Sequence, residues 1–391
     1  MSGSPAIAPP IAPNPGGALE PHQVVGRDAI VADCWRALRA QSVALLAPRR
    51  IGKTSVLTKM AAEPPPEFVV VRRNLEGLES TAEFVQVMFD DVEQLLGRWK
   101  CKARHALGLL ESLAIETRYI KAQLHGPQWK RLLDRLFEDL DEQLASRDQL
   151  LVLMWDEVTL FIADLLRRGQ AGDAMALLDS LRAARQRHLH VRMVLTGSIG
   201  FDEILRQLRR THGYRNRPIN DVARRFVPLL DAAGSEQLIR GLLRHGGKPQ
   251  DPVLITTMIE RCEGHPFVIQ LLADQLLRLP EPRAEHVEPQ LQRLLSPPGD
   301  PLDLNHYLER IDKQFDEQQA GLARAVLDMV ARRELGLSRA QLIAALPEHP
   351  REAVLGVVRQ LEDDFYLRRE HGSSRFMLEL LRRFWCEERG L

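Results

Sequence analysis

Cysteine, aromatic residues and net charge are all scarce in this chain of 391 residues. Aromatic residues make up 5% of it, and its four cysteines are Cys34, Cys101, Cys262 and Cys386. No two cysteines form a CxxC pair, which argues against a disulfide framework or a cysteine metal cluster. Isolated thiols are typical of a reducing compartment, so we expect a cytoplasmic protein.

An excess of one charge is also missing, because 53 basic residues balance 53 acidic residues. A protein that coats nucleic acid is usually more basic, so any contact with DNA must come from local patches. The sequence also has no apolar run long enough to span a bilayer, and no charged N-terminal region followed by an apolar run. We therefore expect neither membrane association nor a signal peptide.

The most informative stretch of the chain is residues 42–55. It reads as a short apolar strand, a phosphate-binding loop and a helix start, and it fits the pattern G-x-x-x-x-G-K-[ST] except that Ala47 replaces the first glycine. Gly52 allows close approach of the backbone to phosphates. Lys53 would bind the β- and γ-phosphates of ATP, and Thr54 would bind Mg²⁺. The alternative is a chance G-K-T in a strand-to-helix turn.

An acidic pair, Asp156-Glu157, directly follows the apolar run 150–155. Such a run is typical of a strand buried in a parallel sheet, and ligands of open α/β sheets bind at the carboxyl ends of the strands. Asp156 would hold Mg²⁺ through its water shell, and Glu157 would act as the general base for the attacking water. The alternative is an acidic pair that merely starts a loop.

The next predicted strand, residues 191–198, ends in Thr196-Gly197-Ser198. Either hydroxyl could contact the γ-phosphate or orient the water as a nucleotide sensor. A simple strand-ending turn is an equal alternative, since glycine and serine are common in turns.

Two further stretches carry polar residues with open roles. Glu263-Gly264-His265-Pro266 separates two predicted helices, and a purely structural turn explains it as well as a ligand contact does. Residues 206–225 are rich in arginine. They could supply an arginine finger, bind phosphate backbones, or form a solvated surface loop.

Strands that alternate with helices predict an α/β fold with a mostly parallel sheet, and the later part of the chain predicts helices. We expect a disordered tail over residues 1–20 and a P-loop ATPase domain over 21–225, with a helical insertion around 81–147. A helical lid domain is expected over 226–296, a linker over 297–316 and a winged-helix domain over 317–391.

Together these features resemble the AAA+ P-loop ATPases of the STAND class, most closely the archaeal-type ATPase family. The resemblance covers residues 22–391 and is carried by the stretches Val25-Gly26-Arg27, Pro48-Arg49-Arg50-Ile51-Gly52-Lys53-Thr54-Ser55, Asp156-Glu157, Thr196-Gly197-Ser198, Gly264-His265-Pro266 and Leu380-Leu381-Arg382-Arg383-Phe384-Trp385. Two departures are Ala47 in the loop and the size of the segment 81–147.

The resemblance implies a role for each matching residue. Val25, Gly26 and Arg27 would line the adenine side of the pocket, the loop residues Pro48 to Ser55 would bind the phosphates, and His265 with Pro266 would contact the nucleotide from the lid. Thr54 and Asp156 would hold Mg²⁺, while Lys53, Glu157 and Thr196 or Ser198 would serve catalysis.

The resemblance also implies an ATP-dependent molecular switch, in which ATP or ADP controls self-association or a separate effector protein, as in defence or signalling. One alternative is a nucleic-acid-binding ATPase that acts through its winged helix and arginine-rich stretch. A second is a nucleotide-loaded scaffold with little turnover.

Overall fold

The computed structural model describes residues 9–98, 128–197, 200–295 and 299–391. The chain divides into two units. The sheet unit contains Asp28–Leu46 and Lys53–Val227. The C-terminal unit contains the residues up to Arg27, the loop Ala47–Gly52 and Pro228–Leu391. The domain boundaries expected at residues 225, 296 and 316 stay a prediction.

The sheet unit is built on a five-stranded sheet in the order β2-β3-β4-β1-β5, and every pair of neighbours is parallel. Its strands are β1 (Val43–Leu46), β2 (Phe68–Asn74), β3 (Leu150–Asp156), β4 (Val191–Leu195) and β5 (Ala223–Phe226). Strand β3, which lies between β2 and β4, is apolar throughout until it reaches Asp156, because both of its faces are covered. The predicted parallel α/β sheet is therefore confirmed.

Helices pack around this sheet. They are α1 (Asp28–Leu38), α2 (Lys53–Ala62), α3 (Thr81–Arg98), α4 (Gln128–Ala145), α5 (Val158–Arg167), α6 (Ala171–Arg187) and α7 (Phe201–His212). The core includes Phe84, Phe137, Trp155 and Phe161, each at most 1% exposed. Helices α3 and α4 fall in the predicted insertion 81–147, of which residues 99–127 lie outside the described part.

Three elements of this unit, α5, α7 and β5, were not predicted from the sequence. Residues 206–225 are therefore not one surface loop, because α7 contains Arg206 to Arg210, and β5 contains Arg224 and Arg225. Helix α7 buries Phe201, Ile204, Leu205 and Leu208, an i, i+3, i+4, i+7 pattern that the arginines between them obscured.

The C-terminal unit is mainly helical. Its elements are α8 (Ala232–His245), α9 (Pro252–Cys262), α10 (Pro266–Leu277), α11 (Val287–Leu295), α12 (Asn305–Gln314), α13 (Glu317–Ala331), α14 (Arg339–Ala345), α15 (Arg351–Asp363) and α16 (Glu379–Arg389), with strands β6 (Leu337–Ser338), β7 (Leu367–Glu370) and β8 (Ser373–Phe376). The strands form an antiparallel sheet in the order β6-β8-β7. Ser338 is the N-cap of α14, because its Oγ accepts a hydrogen bond from Gln341 N at 3.3 Å.

Two segments differ from their sequence-based description. The expected tail 1–20 is partly packed, since Ile11 is 1% exposed and its backbone N–H bonds Gly241 O at 3.0 Å. One buried isoleucine was hidden in a composition dominated by proline, glycine and alanine. The expected linker 297–316 contains α12, which buries Tyr307 and Ile311.

None of the helices formed by the described residues combines the length and the apolar composition needed to cross a bilayer.

Candidate functional site

The carboxyl ends of β3 and β4 bring the predicted polar residues of the sheet unit together. The register pairs Trp155 with Leu195, so Asp156 and Thr196 follow as neighbours at the same edge of the sheet. Thr196 Oγ1 donates a hydrogen bond to Asp156 Oδ1. Thr54, in the first turn of α2, donates to Asp156 Oδ2 at 2.6 Å. Asp156 therefore joins the start of α2 to the ends of two strands, although it is only 3% exposed.

The oxygen atoms of Asp156 and Thr54 fit a magnesium site. Mg²⁺ prefers oxygen ligands and commonly takes one or two protein groups, with water and phosphate oxygens completing its octahedron. Asp156 and Thr54 supply a carboxylate and a hydroxyl 2.6 Å apart. Lys53 begins α2 and is 7% exposed, so its positive charge lies at the helix end that attracts anions.

Glu157, the predicted general base, stands at the N-cap of α5 with a left-handed backbone, φ 56°. A non-glycine residue in this conformation is strained, and such strain recurs at functional sites. Next to Thr196, Gly197 packs so tightly that a Cβ atom would lie 1.8 Å from Thr159 Oγ1. Any side chain at position 197 would therefore displace Thr159. The alternative sensor, Ser198, lies outside the described residues.

The loop Ala47–Gly52 is shaped by two left-handed residues, Arg50 with φ 63° and Gly52 with φ 99°. Ile51 is 1% exposed, and its carbonyl accepts a hydrogen bond from Arg27 Nη2 at 2.7 Å. Arg27 Nη1 donates to Pro228 O at 2.6 Å. Burial lowers the pKa of Arg27 to about 10, which leaves it charged at neutral pH. The geometry makes Arg27 a brace for the loop backbone.

Val25 and Gly26 precede this brace. Val25 is 9% exposed and joins the apolar core of the C-terminal unit. Gly26 has φ 64°, and a Cβ atom there would lie 2.8 Å from Leu230 and 3.0 Å from Gly234. The close approach of two glycine backbones explains why small residues occupy this place.

The turn before α10 ends in His265, which is the N-cap of α10, and Pro266 is the first residue of that helix. Gly264 O accepts a hydrogen bond from Leu230 N at 2.8 Å, and Gly264 adopts φ 73°. His265 is 7% exposed, and its Nδ1 has no hydrogen-bond partner among the described residues. Burial, reinforced by the charges of Arg27 and Arg50, lowers the pKa of His265 to about 4. The imidazole is therefore neutral at physiological pH.

Two residues beside the loop, Asp303 and His306, were not predicted from the sequence. Asp303 Oδ2 accepts a hydrogen bond from Arg50 Nε at 3.0 Å, and Arg49 Nη1 lies 3.7 Å from the same oxygen. With His265 and His306, these residues line a cavity of about 20 Å³ within the C-terminal unit. No local signal marks Asp303, because it lies 253 positions from Arg50 in the chain.

The arginine-rich stretch is partly neutralised. Arg224 pairs with Asp202 at 2.7 Å, and Arg225 pairs with Asp33 at 2.5 Å. The turn between α7 and β5 forms an open cleft. Its lining residues are Arg209, Gly213, Tyr214, Arg215 and Arg217.

Comparison with solved structures identifies the fold class. A Walker-type ATPase of Pyrococcus abyssi matches with a TM-score of 0.60 and 14% identity, over 93% of this chain and 96% of that chain. The ORC2 protein of Aeropyrum pernix matches with a TM-score of 0.49 and 11% identity, over 93% of this chain and 95% of that chain. No family model and no curated protein matches the sequence. The first likeness confirms the predicted α/β P-loop NTPase fold, and at this identity it shows the fold alone.

Proposed function

We propose that this protein binds ATP with Mg²⁺ and hydrolyses it, and that the nucleotide acts as a switch in the manner of the STAND class. Lys53 and the loop Ala47–Gly52 bind the phosphates. Thr54 and Asp156 hold the metal ion. Glu157 takes the proton of the attacking water as general base.

The hydrogen bonds at Asp156 carry the proposal. Burying a carboxylate costs free energy unless a cation or hydrogen-bond donors compensate its charge. Asp156 is 3% exposed and accepts hydrogen bonds from Thr54 and Thr196. Both hydroxyls belong to the motifs that the sequence pattern of an ATPase predicts. Bound Mg²⁺ would neutralise charge on the β- and γ-phosphates. Of the two candidates for the nucleotide sensor, Thr196 is the one within the described residues, and its hydroxyl donates a hydrogen bond to Asp156.

The switch part of the proposal rests on the loop Ala47–Gly52. Arg27 fixes its backbone at Ile51, and Arg27 also bonds Pro228 at the start of the helical segment. A change of loop conformation would therefore reach residues outside the loop. The expected outputs are self-association or control of a separate effector, since nucleotide switches act by ordering segments.

The first experiment measures ATP binding and phosphate release by the full chain and three variants. Lys53→Ala should weaken nucleotide binding at least tenfold, since it removes the phosphate-binding charge. Glu157→Gln should bind ATP as tightly as wild type but lose about 100-fold or more in turnover, because glutamine cannot accept the proton. Lys59→Ala is the matched control: it removes the same charge from the same helix and should change neither quantity.

Binding that is equal in wild type and Lys53→Ala would refute the proposed site. Tight binding with the same slow turnover in wild type and Glu157→Gln would instead favour the nucleotide-loaded scaffold. The switch itself is tested by light scattering with ATP, ADP and no nucleotide. A molar mass and nucleotide content identical for wild type and Lys53→Ala in all three conditions would show that no such switch operates.

The cleft at Arg209, Arg215 and Arg217 favours one second candidate, a nucleic-acid-binding ATPase. Phosphate contacts make binding fall steeply with salt. If DNA is bound, Arg215→Ala should weaken binding to every sequence alike and reduce the salt dependence of the affinity. An unchanged DNA affinity of Arg215→Ala at low salt would exclude this role for the cleft.

A further inference from the structure

Arg50, at the tip of the loop Ala47–Gly52, has a backbone that is unfavourable for arginine and a side chain that is fixed on several sides. Its φ of 63° lies in the left-handed region, which costs about 1 kcal/mol or more for a non-glycine residue. Its guanidinium stacks 4.3 Å from the centre of the Phe267 ring. Gly16 packs so close that a Cβ atom there would lie 2.7 Å from Arg50 Nη1. Strained backbone persists only where surrounding contacts determine it.

The charged partner in this arrangement is Asp303. Its Oδ2 accepts from Arg50 Nε at 3.0 Å and lies 3.7 Å from Arg49 Nη1. One carboxylate thus engages both arginines of the loop. The side chain of Asp303 is 25% exposed, so solvent screens the attraction only in part.

Asp303 is held in place by a rigid turn. The carboxylate of Asp300 accepts the N–H groups of Leu304 at 2.7 Å and Asn305 at 2.8 Å. The carbonyl of Asp300 accepts Asp303 N at 2.9 Å. These three hydrogen bonds restrict the backbone conformation of the turn, so the carboxylate of Asp303 is held in a fixed position beside the loop.

The same turn is joined to the C-terminal helices and hairpin. It runs into α12, where the carbonyl of the buried Tyr307 accepts a hydrogen bond from Tyr366 Oη at 2.6 Å. The two tyrosine rings meet edge to face at 5.1 Å. Tyr366 directly precedes β7. A continuous set of contacts therefore runs from the tip of the loop through Asp303 to the hairpin.

We propose that Asp303 is a positioning residue for the phosphate-binding loop, which it holds in its binding conformation by pairing with Arg50 and Arg49. The inference rests on the proposed function, because it assigns a regulator to the same nucleotide site. A loop that is only partly in its binding conformation binds with an affinity reduced by that fraction. By reciprocity, nucleotide bound to the loop stabilises the turn at Asp303.

Asp303→Asn is the variant that tests this step. Asparagine tolerates the left-handed φ of 56° at this position, so the turn keeps its backbone while the charge is lost. We expect the dissociation constant for a fluorescent ADP analogue and the KM for ATP to rise about fivefold, the scale of a partly exposed ion pair. The kcat should stay within about twofold of wild type, because the loop is in place once ATP is bound. The difference from wild type should shrink as NaCl is raised.

Asp312→Asn is the matched control, since Asp312 lies on the neighbouring helix and pairs with Arg324 instead of the loop. It should bind as wild type does. The double variant Arg50→Gln/Asp303→Asn should lose less affinity than the two single variants lose in sum, because each single change already removes the Arg50–Asp303 ion pair.

Equal affinity of wild type and Asp303→Asn, with binding still lost in Lys53→Ala, would overturn the positioning role and leave the proposed function standing. An unchanged KM with a reduced kcat would overturn it as well. If Lys53→Ala binds nucleotide as wild type does, the proposed function fails and the inference fails with it.

Discussion

Replacing His265 with glutamine should make the stability of the protein less sensitive to acid. His265 is 7% exposed, and burial lowers its pKa from 6.5 to about 4, with smaller contributions from the positive charges of Arg27 and Arg50. The folded protein therefore binds the proton of this imidazole less readily than the unfolded chain. The stabilisation is complete above pH 6.5 and is lost as the pH falls from 6.5 towards 4.

The magnitude follows from proton linkage. At pH 5 the unfolded imidazole is largely protonated and the folded one is not, which lowers the free energy of unfolding by about 2 kcal/mol relative to pH 7.5. Glutamine does not titrate, so the variant should lack this part of the pH dependence. His306 also has its pKa lowered to about 4, mainly by burial, and therefore adds a similar slope to both proteins.

Urea unfolding at several pH values between 5 and 7.5 measures the effect for wild type and His265→Gln. His245→Gln is the control, because His245 is exposed at the end of α8 in the same unit. The free energy of unfolding should fall about 2 kcal/mol less on acidification in His265→Gln than in the other two proteins. The same pH dependence in all three would refute the argument that His265 is buried in its neutral form.

Two other substitutions test close contacts of the C-terminal unit. Gly264→Ala should destabilise the protein by more than about 2 kcal/mol, because a Cβ atom would lie 2.0 Å from Leu230 O, whereas Gly247→Ala, with a similar φ of 64° and open space, should cost about 1 kcal/mol. Calorimetry measures both, and equal losses would contradict the role of the close approach. Tyr366→Phe should cost about 1–2 kcal/mol, since it removes the hydrogen bond from the Tyr366 hydroxyl to the carbonyl of the buried Tyr307. An unchanged melting temperature would contradict this contribution.

Local sequence was sufficient where one element carried its own pattern. The run Phe68–Asn74 follows three prolines and contains three consecutive valines, a pattern typical of a strand, and it forms β2. Strand β5 was missed because Ala223-Arg224-Arg225-Phe226 has no apolar alternation. It is an edge strand, and its extended state comes from pairing with β1, a contact that no local pattern expresses.

The candidate site divides in the same way. The sequence identified Thr54, Asp156 and Thr196 as separate motifs, and the parallel register explains why they meet, since strand ends of a parallel sheet share one edge. The resemblance placed Arg27 on the adenine side of the pocket, which stays a prediction, and only the folded chain shows that its guanidinium donates to the carbonyls of Ile51 and Pro228. Direction of a long side chain depends on neighbours that are distant in sequence.

The sequence alone therefore determined the type of fold and the residue types of a candidate phosphate and magnesium site, because loop, strand and acidic pair each follow local rules of spacing and periodicity. Only the tertiary structure decided that Arg50 pairs with Asp303 and that His265 is buried beside two arginines. Ion pairs and burial depend on distances between residues far apart in the chain, and those distances exist only after folding.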